Sequence, residues 1–395
     1  MKRTLKELHR ATLITHGGRP EGAKVTVNPV VARTSTVVFD SMATLREAVA
    51  GRSRHERGLL YGRKGSSTGD ALEDVVTALE SGERTRLFGS GLAAITCAIL
   101  SAVRAGDHIL IIDSCYEPVR RFSAQYLASM GVSHDFFRPD LTDLAGKIRP
   151  ETRLIWAECP GSVTFEMCDL PALVAVARQH ENIVVAVDNT WGSGLMYRPL
   201  EHGADMSVMA ATKYLVGHSD VMLGTVTTNA VAWPRLEEVA DLMGHSVSPD
   251  DVYLGLRGVR TMAVRMERQQ ESALQLARWL QRQPMIRRVF CPALADDPGH
   301  AIWKRDFDGG NGLLSIEFAP EVNGATVDRF VESLQLFSLG HSWGGYESLA
   351  LPMHVPSRQR LEDLGIQGSI VRLHVGLEDP QDLLQDLGGA LNTVL

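Results

Sequence analysis

Ile183-Val184-Val185-Ala186-Val187-Asp188 is a run of β-branched and apolar residues that ends in a carboxylate. A run without polar alternation reads as a strand buried on both faces, the kind that parallel sheets use. His108-Ile109-Leu110-Ile111-Ile112-Asp113 and Leu154-Ile155-Trp156-Ala157 have the same character. Helical periodicity fills the intervals, over residues 70–79, 92–103, 118–130 and 170–180. Strands separated by helices across residues 68–205 predict an α/β domain, a mostly parallel sheet flanked by helices.

Beyond a further strand-like run at 222–228 the chain changes character. A long amphipathic helix is predicted over 261–282, followed by segments 313–318 and 369–375 that alternate like half-exposed strands, with helices at 327–334 and 381–391. The organisation predicted is therefore an irregular N-terminal arm at 1–60 that packs on a neighbouring subunit, a large domain at 61–258 and a smaller α+β domain at 259–395. A chain of 395 residues exceeds the roughly 250–300 that one core accommodates, which agrees with two domains.

Forty basic and forty-seven acidic residues give a net charge of -7. With no long basic run, that argues against a nucleic-acid surface. The five cysteines, Cys97, Cys115, Cys159, Cys168 and Cys291, show no C-x-x-C spacing and mostly lie in or beside apolar segments. They read as reduced thiols of a cytoplasmic protein, without a metal site. Lys2, Arg3, Lys6 and Arg10 precede no apolar core of a secretory signal, and no apolar run approaches the ~18 residues of a membrane span.

The chemistry is predicted to gather at the carboxyl edge of the sheet, where α/β folds place ligands. Asp188 emerges there, and a buried acid in that position seeks a cationic partner such as a protonated pyridine nitrogen. Twenty-five residues on, Ala211-Thr212-Lys213-Tyr214-Leu215-Val216-Gly217 sets a lysine among apolar neighbours. Burial there lowers the lysine pKa and frees its amine as a nucleophile or base, which makes Lys213 a candidate Schiff-base lysine. Gly89-Ser90-Gly91-Leu92 opens a helix of small residues, and the free N–H groups of such a helix start bind phosphate. Tyr116, after the strand ending at Asp113, is placed to stack on a flat cofactor. Tyr61 and Arg63 lie in a loop poorly placed for their own sheet edge and suit a phosphate on a neighbouring subunit. Ser342-Trp343-Gly344-Gly345 suits a binding loop, and Arg372, the one cation in its strand, suits a substrate carboxylate. A rival reading stands beside these. The G-x-G-x-x-A at Gly89 followed by Asp113 imitates a dinucleotide fingerprint, which would make the chain a nicotinamide-dependent dehydrogenase.

Residues 205–219, together with Tyr61-Gly62-Arg63, Val187-Asp188-Asn189-Thr190-Trp191, Ser342-Trp343-Gly344-Gly345-Tyr346 and Val371-Arg372-Leu373-His374-Val375, resemble the Cys/Met-metabolism family of pyridoxal-phosphate enzymes, and within it the β-lyase branch. The resemblance implies a type I, aspartate aminotransferase-like fold with pyridoxal 5'-phosphate as cofactor. It implies that Lys213 carries the cofactor and moves protons with Tyr116. Asp188 would pair with the pyridine nitrogen, Tyr116 would stack on the ring, and Gly91, Leu92 and Thr212 would hold the phosphate, with Tyr61 and Arg63 reaching it from a neighbouring protomer. Arg372, Ser342 and Trp343 would bind the substrate. The activity implied is α,β-elimination of L-cystathionine in methionine biosynthesis, by a cytoplasmic homotetramer built as a dimer of dimers. Trp343 favours this over γ-chemistry, since γ-enzymes usually carry an aliphatic residue there, and a broader cysteine-S-conjugate β-lyase is the neighbouring reading. Two positions depart from the family pattern: Ala210 replaces a phosphate-binding serine, and His341 stands where tyrosine is expected.

Overall fold

The computed structural model describes residues 7–394, so Lys2, Arg3 and Lys6 of the N-terminal reading lie outside the described residues. Seven strands form the first sheet: β1 (Arg84–Phe88), β2 (His108–Ile112), β3 (Ser133–Phe137), β4 (Thr152–Glu158), β5 (Val184–Asp188), β6 (Met206–Met209) and β7 (Gly224–Thr228). Their order is β1-β7-β6-β5-β4-β2-β3. The pairings among β2 to β6 are parallel, whereas β7 runs antiparallel to both β6 and β1. The apolar runs that announced β2, β4 and β5 are buried on both faces, as continuous hydrophobicity requires. Helices Gly91–Ala102 and Leu170–Ala177 are among those that cover them.

This topology removes the dinucleotide reading. The glycines at 89 and 91 follow β1, an antiparallel edge strand, whereas the fingerprint needs a parallel strand beside the switch point. Asp113, the supposed ribose ligand, is engaged by Arg120 and by the Ser357 hydroxyl at 2.7 Å.

The second sheet holds β8 (Ile286–Phe290), β9 (Leu313–Phe318), β10 (Ser338–Leu339), β11 (Leu349–Met353) and β12 (Ile370–His374), in the order β10-β11-β12-β9-β8. The expectation of half-exposed strands is corrected here. Every residue of β9 is buried, and in β12 only Arg372 is partly open. Leu313 and Ile370 join the core of the first sheet, while Leu314, Ile316, Phe318, Val371 and Leu373 pack with helices Met262–Leu280, Gly324–Ser333 and Pro380–Asn392. Both faces are covered, and of the polar residues that gave β9 its alternation Glu317 is buried with partners while the Ser315 hydroxyl is buried without one.

The arm is less irregular than predicted. Helix Arg10–His16 seats Leu13 and Ile14 against helix Ser67–Leu79, and a second helix spans Met42–Ser53. Between them Val25, Val27, Val30 and Val38 stand exposed. The helix predicted at 118–130 begins as Glu117–Arg121 and widens into a π-helical turn at Phe122–Leu127.

Candidate active site

β4 and β5 end side by side, with Glu158 in register with Asp188, so two carboxylates meet at the carboxyl edge. Asp188 is buried, and both of its hydrogen bonds fall on one oxygen: Thr190 donates to Oδ1 from Oγ1 at 2.6 Å and from N at 3.0 Å. Oδ2 is left to the crevice. Burial raises the Asp188 pKa, the Thr190 bonds oppose it, and the charge of Lys213 opposes it further. A carboxyl so placed gains most from a cation facing Oδ2.

Lys213 lies in the turn between β6 and β7, at a position fixed by its own backbone. Its N–H donates to Ala210 O at 3.0 Å, and its carbonyl accepts from Gly217 N at 2.8 Å. Gly217 has φ +69°, a left-handed turn that lacks the usual steric penalty only in glycine. The amine reaches the second sheet's loop, donating to Ser342 Oγ at 2.6 Å and lying 5.2 Å from the Trp343 ring centre. Burial, and then the charge of Arg372, pull the Lys213 pKa down to about 8, with Asp188 opposing. A far larger share of the amine is therefore unprotonated near neutrality than in an exposed lysine, although the ammonium still predominates at pH 7, and the free form is the one a nucleophile or base needs.

Gly91 begins its helix against the same turn. A Cβ on Gly91 would lie 2.5 Å from the Ala210 Cβ, so the helix start and the Lys213 turn are in contact. Ser90 caps the helix by accepting from Ala93 N at 3.1 Å, and the first N–H groups, at Gly91 and Leu92, have no intrahelical acceptor. The Thr212 hydroxyl donates to Leu223 O at 3.1 Å and accepts from Leu223 N at 2.8 Å, which ties it to β7's approach. Ala210, the departure noted above, spends its N–H on Thr190 Oγ1 at 2.9 Å.

Tyr116 stands at the rim, partly exposed, with its pKa raised by burial and by Asp188 and Glu158. Arg372 donates from Nη2 to Ser342 O at 3.1 Å. Burial brings its pKa down to about 10, which leaves it a cation at neutral pH. Lys213, Asp188, Gly91, Leu92, Thr212, Tyr116, Ser342, Trp343 and Arg372 are thus brought to one crevice. Tyr61 and Arg63 are not: Tyr61 is exposed, and Arg63 donates to the Asp241 carbonyl at 3.2 Å. His341 is exposed beside the Ser342 loop.

Two residues of the crevice were not singled out from the sequence. Glu158 accepts from Tyr116 N at 2.6 Å and from Ser162 Oγ at 2.5 Å, so it fixes the backbone that carries the rim tyrosine. Burial and the neighbouring Asp188 push its pKa up. The signal was present, since Glu158 ends an apolar strand just as Asp188 does. His374 lies two residues past Arg372 and shares its side of β12, a period-two relation that the strand pattern contained.

An amine of depressed pKa opposite a half-satisfied carboxyl, with a bare helix start between the glycines and the lysine turn, is the donor set of a pyridoxal-phosphate enzyme. Residues 11–392 match the Cys/Met metabolism PLP-dependent enzymes, and the chain belongs to that family. It is 45% identical to a cystathionine beta-lyase of Bordetella avium, covering 97% of this chain and 98% of the relative. It is 40% identical to the cystathionine beta-lyase MetC of Escherichia coli K12, over 91% and 92% of the two chains. The solved structure of metB from Corynebacterium glutamicum superposes with a TM-score of 0.88 at 29% identity, over 100% of both chains. The cofactor is pyridoxal phosphate, and the residues present fit it: Asp188 Oδ2 lacks a partner where a protonated pyridine belongs, and the Gly91–Leu92 N–H groups lack one where a phosphate belongs.

Proposed function

We propose that the chain is a carbon–sulfur lyase that cleaves L-cystathionine by α,β-elimination to homocysteine and aminoacrylate, the latter hydrolysed by one water to pyruvate and ammonia, in the cytoplasm and within methionine biosynthesis. The observation that carries this reading is the Lys213 amine, drawn down to about pH 8 and set on Ser342 beside Arg372. A base from the β6–β7 turn and a carboxylate-binding cation from β12, both in contact with Ser342, address the Cα proton of an amino acid. The names of the relatives supply the substrate.

Bound pyridoxal phosphate supplies the carbonyl that captures the substrate amine and the sink for the electron pair left at Cα. Asp188 would keep the pyridine nitrogen protonated, Gly91, Leu92 and Thr212 would hold the phosphate, and Tyr116 would cover the ring. Arg372 and Ser342 grip the α-carboxylate, which aims the Cα–H bond at Lys213. Lys213 takes that proton as its free amine. The Cβ–S bond then breaks, and the departing sulfur receives a proton from Lys213 or from the Tyr116 hydroxyl, whose raised pKa keeps it a donor. Trp343 shapes the pocket for β- rather than γ-elimination.

Tyr61 and Arg63 serve the phosphate of a partner subunit; of arm 1–60, helix Arg10–His16 packs on its own chain and the stretch beyond it lies across the dimer, followed by large domain 61–258 and small domain 259–395. Pairs of dimers form a tetramer. The support is that Tyr61 is exposed in the single chain beside an arm whose valines are uncovered. Among the described residues no helix is long and apolar enough to cross a membrane.

The test is product analysis with L-cystathionine. Pyruvate is expected, with the visible absorption of bound cofactor lost in Lys213→Ala; 2-oxobutyrate in its place would establish γ-chemistry and overturn the proposal. A panel of S-alkyl-cysteines separates a strict from a broad β-lyase.

A further inference from the structure

Ser342 and Gly344 have φ of +87° and +89°. For a serine this region is strained, so the turn does not hold itself and its neighbours must impose it. Three bonds do so. Arg372 Nη2 donates to Ser342 O at 3.1 Å, Gln269 Nε2 donates to Gly345 O at 2.7 Å, and Gly344 N donates to His374 Nε2 at 3.1 Å. The turn also lies directly on the catalytic lysine: a Cβ at Gly344 would stand 2.8 Å from Lys213 C and 2.9 Å from its Cα. Displacement of Gly344 therefore reaches Lys213 without an intermediary.

The imidazole's role follows from what its nitrogens touch. Nε2 is also 3.2 Å from Gly345 O, but one nitrogen cannot both accept from Gly344 N–H and donate to that carbonyl. Gln269 already supplies the Gly345 carbonyl with a donor at shorter range. The shorter of the two contacts, from Gly344 N, is the one that uses Nε2 as an acceptor, and that assignment puts the ring proton on Nδ1, which is buried and has no hydrogen-bond partner. An unsatisfied buried donor is tolerated only where the ring is held for another reason.

We infer that His374 is a positioning residue for the proposed elimination: by accepting the Gly344 N–H it holds the 342–345 turn in the strained form that keeps Ser342 Oγ on the Lys213 amine. The inference rests on the function proposed above and assigns its carboxylate-binding loop an anchor. Burial pushes the His374 pKa down to about 4 against the opposing contact with the Gly345 carbonyl, and the charges of Arg372 and Lys213 act in the same direction as burial. The ring is therefore neutral wherever the enzyme works and does not lose its acceptor to protonation. One strand, β12, then carries both the cation for the substrate and the anchor for the turn.

The experiment uses the holoenzyme and two variants. His374→Leu removes the acceptor and leaves Gly344 N–H unpaired, and His374→Gln replaces it. For His374→Leu, kcat/KM with L-cystathionine is expected to fall about tenfold or more, with a shift in the pH midpoint of the bound cofactor's visible absorption. His374→Gln is expected to recover most of both. A folded His374→Leu enzyme with unchanged kcat/KM and unchanged midpoint overturns the inference, as does a Gln variant no better than the Leu one. Independently of any folding defect, selective 15N-histidine spectra of the wild type must show the proton of His374 on Nδ1; finding it on Nε2 overturns the inference. A wild-type enzyme that releases no pyruvate overturns the function instead.

Discussion

Lys213 illustrates how burial sets chemistry. An exposed lysine titrates near 10.4, and here desolvation and Arg372 bring the value to about 8. In cofactor-free protein the rate of pyridoxal phosphate capture is expected to rise with pH as the amine loses its proton, half-maximal near pH 8; stopped-flow reconstitution checks it, and a midpoint near 10 would contradict the burial argument. The sign for stability agrees. Holding this lysine as a buried cation is a cost below about 8 that is relieved as pH rises from 8 to 10.5, so cofactor-free stability gains over that interval. Arg372→Ala should retain the visible absorption and raise KM, lowering kcat/KM by about a hundredfold, the scale for truncating one side of a buried ion pair. An unchanged KM would remove Arg372 from carboxylate binding. Both residues were legible in the sequence as single charges in apolar runs. His374 was less so, because a histidine in a strand says nothing of whether its acceptor has a task.

At the scale of elements, the strands that place Asp188 were readable because unbroken β-branched runs have one stable environment, the middle of a parallel sheet. β9 was misread because Ser315 and Glu317 imitate a solvent face. Glu317 is buried, yet it accepts from Arg287 Nη1 at 2.5 Å and from Gln367 N at 2.8 Å, and only tertiary structure supplies such partners. β3 was not predicted at all, since Ser133–Phe137 is a polar-rich edge strand. The turn at 342–345 gave the clearer signal, its glycines marking close approach. Gly344→Ala would force an L side chain into φ +89° and against Lys213 at 2.8 Å. A stability loss of about 1–3 kcal/mol is expected in denaturant titration, with a larger proportional loss of activity.

At the scale of the molecule, Tyr61 and Arg63 were assigned to a partner from their place in the chain before β1, and the single chain gives them no task at its own Lys213. The prediction is complementation. Lys213→Ala and Arg63→Ala homo-oligomers should each be weakly active or inactive, and mixing with subunit exchange should restore activity through sites that combine an intact lysine with an intact arginine. No recovery in verified mixed oligomers would place the phosphate wholly within one chain. The five cysteines, all free and buried, have a consequence of another kind. Burial drives Cys97, Cys159 and Cys291 up to about 12, so in the closed protein they are poor nucleophiles as well as inaccessible ones. Cys291 belongs to the core of the second sheet and Cys97 and Cys159 to that of the first. A slow thiol reagent added to the native enzyme therefore keeps time on opening, and the order in which these sulfurs become labelled tells which half of the molecule breathes first.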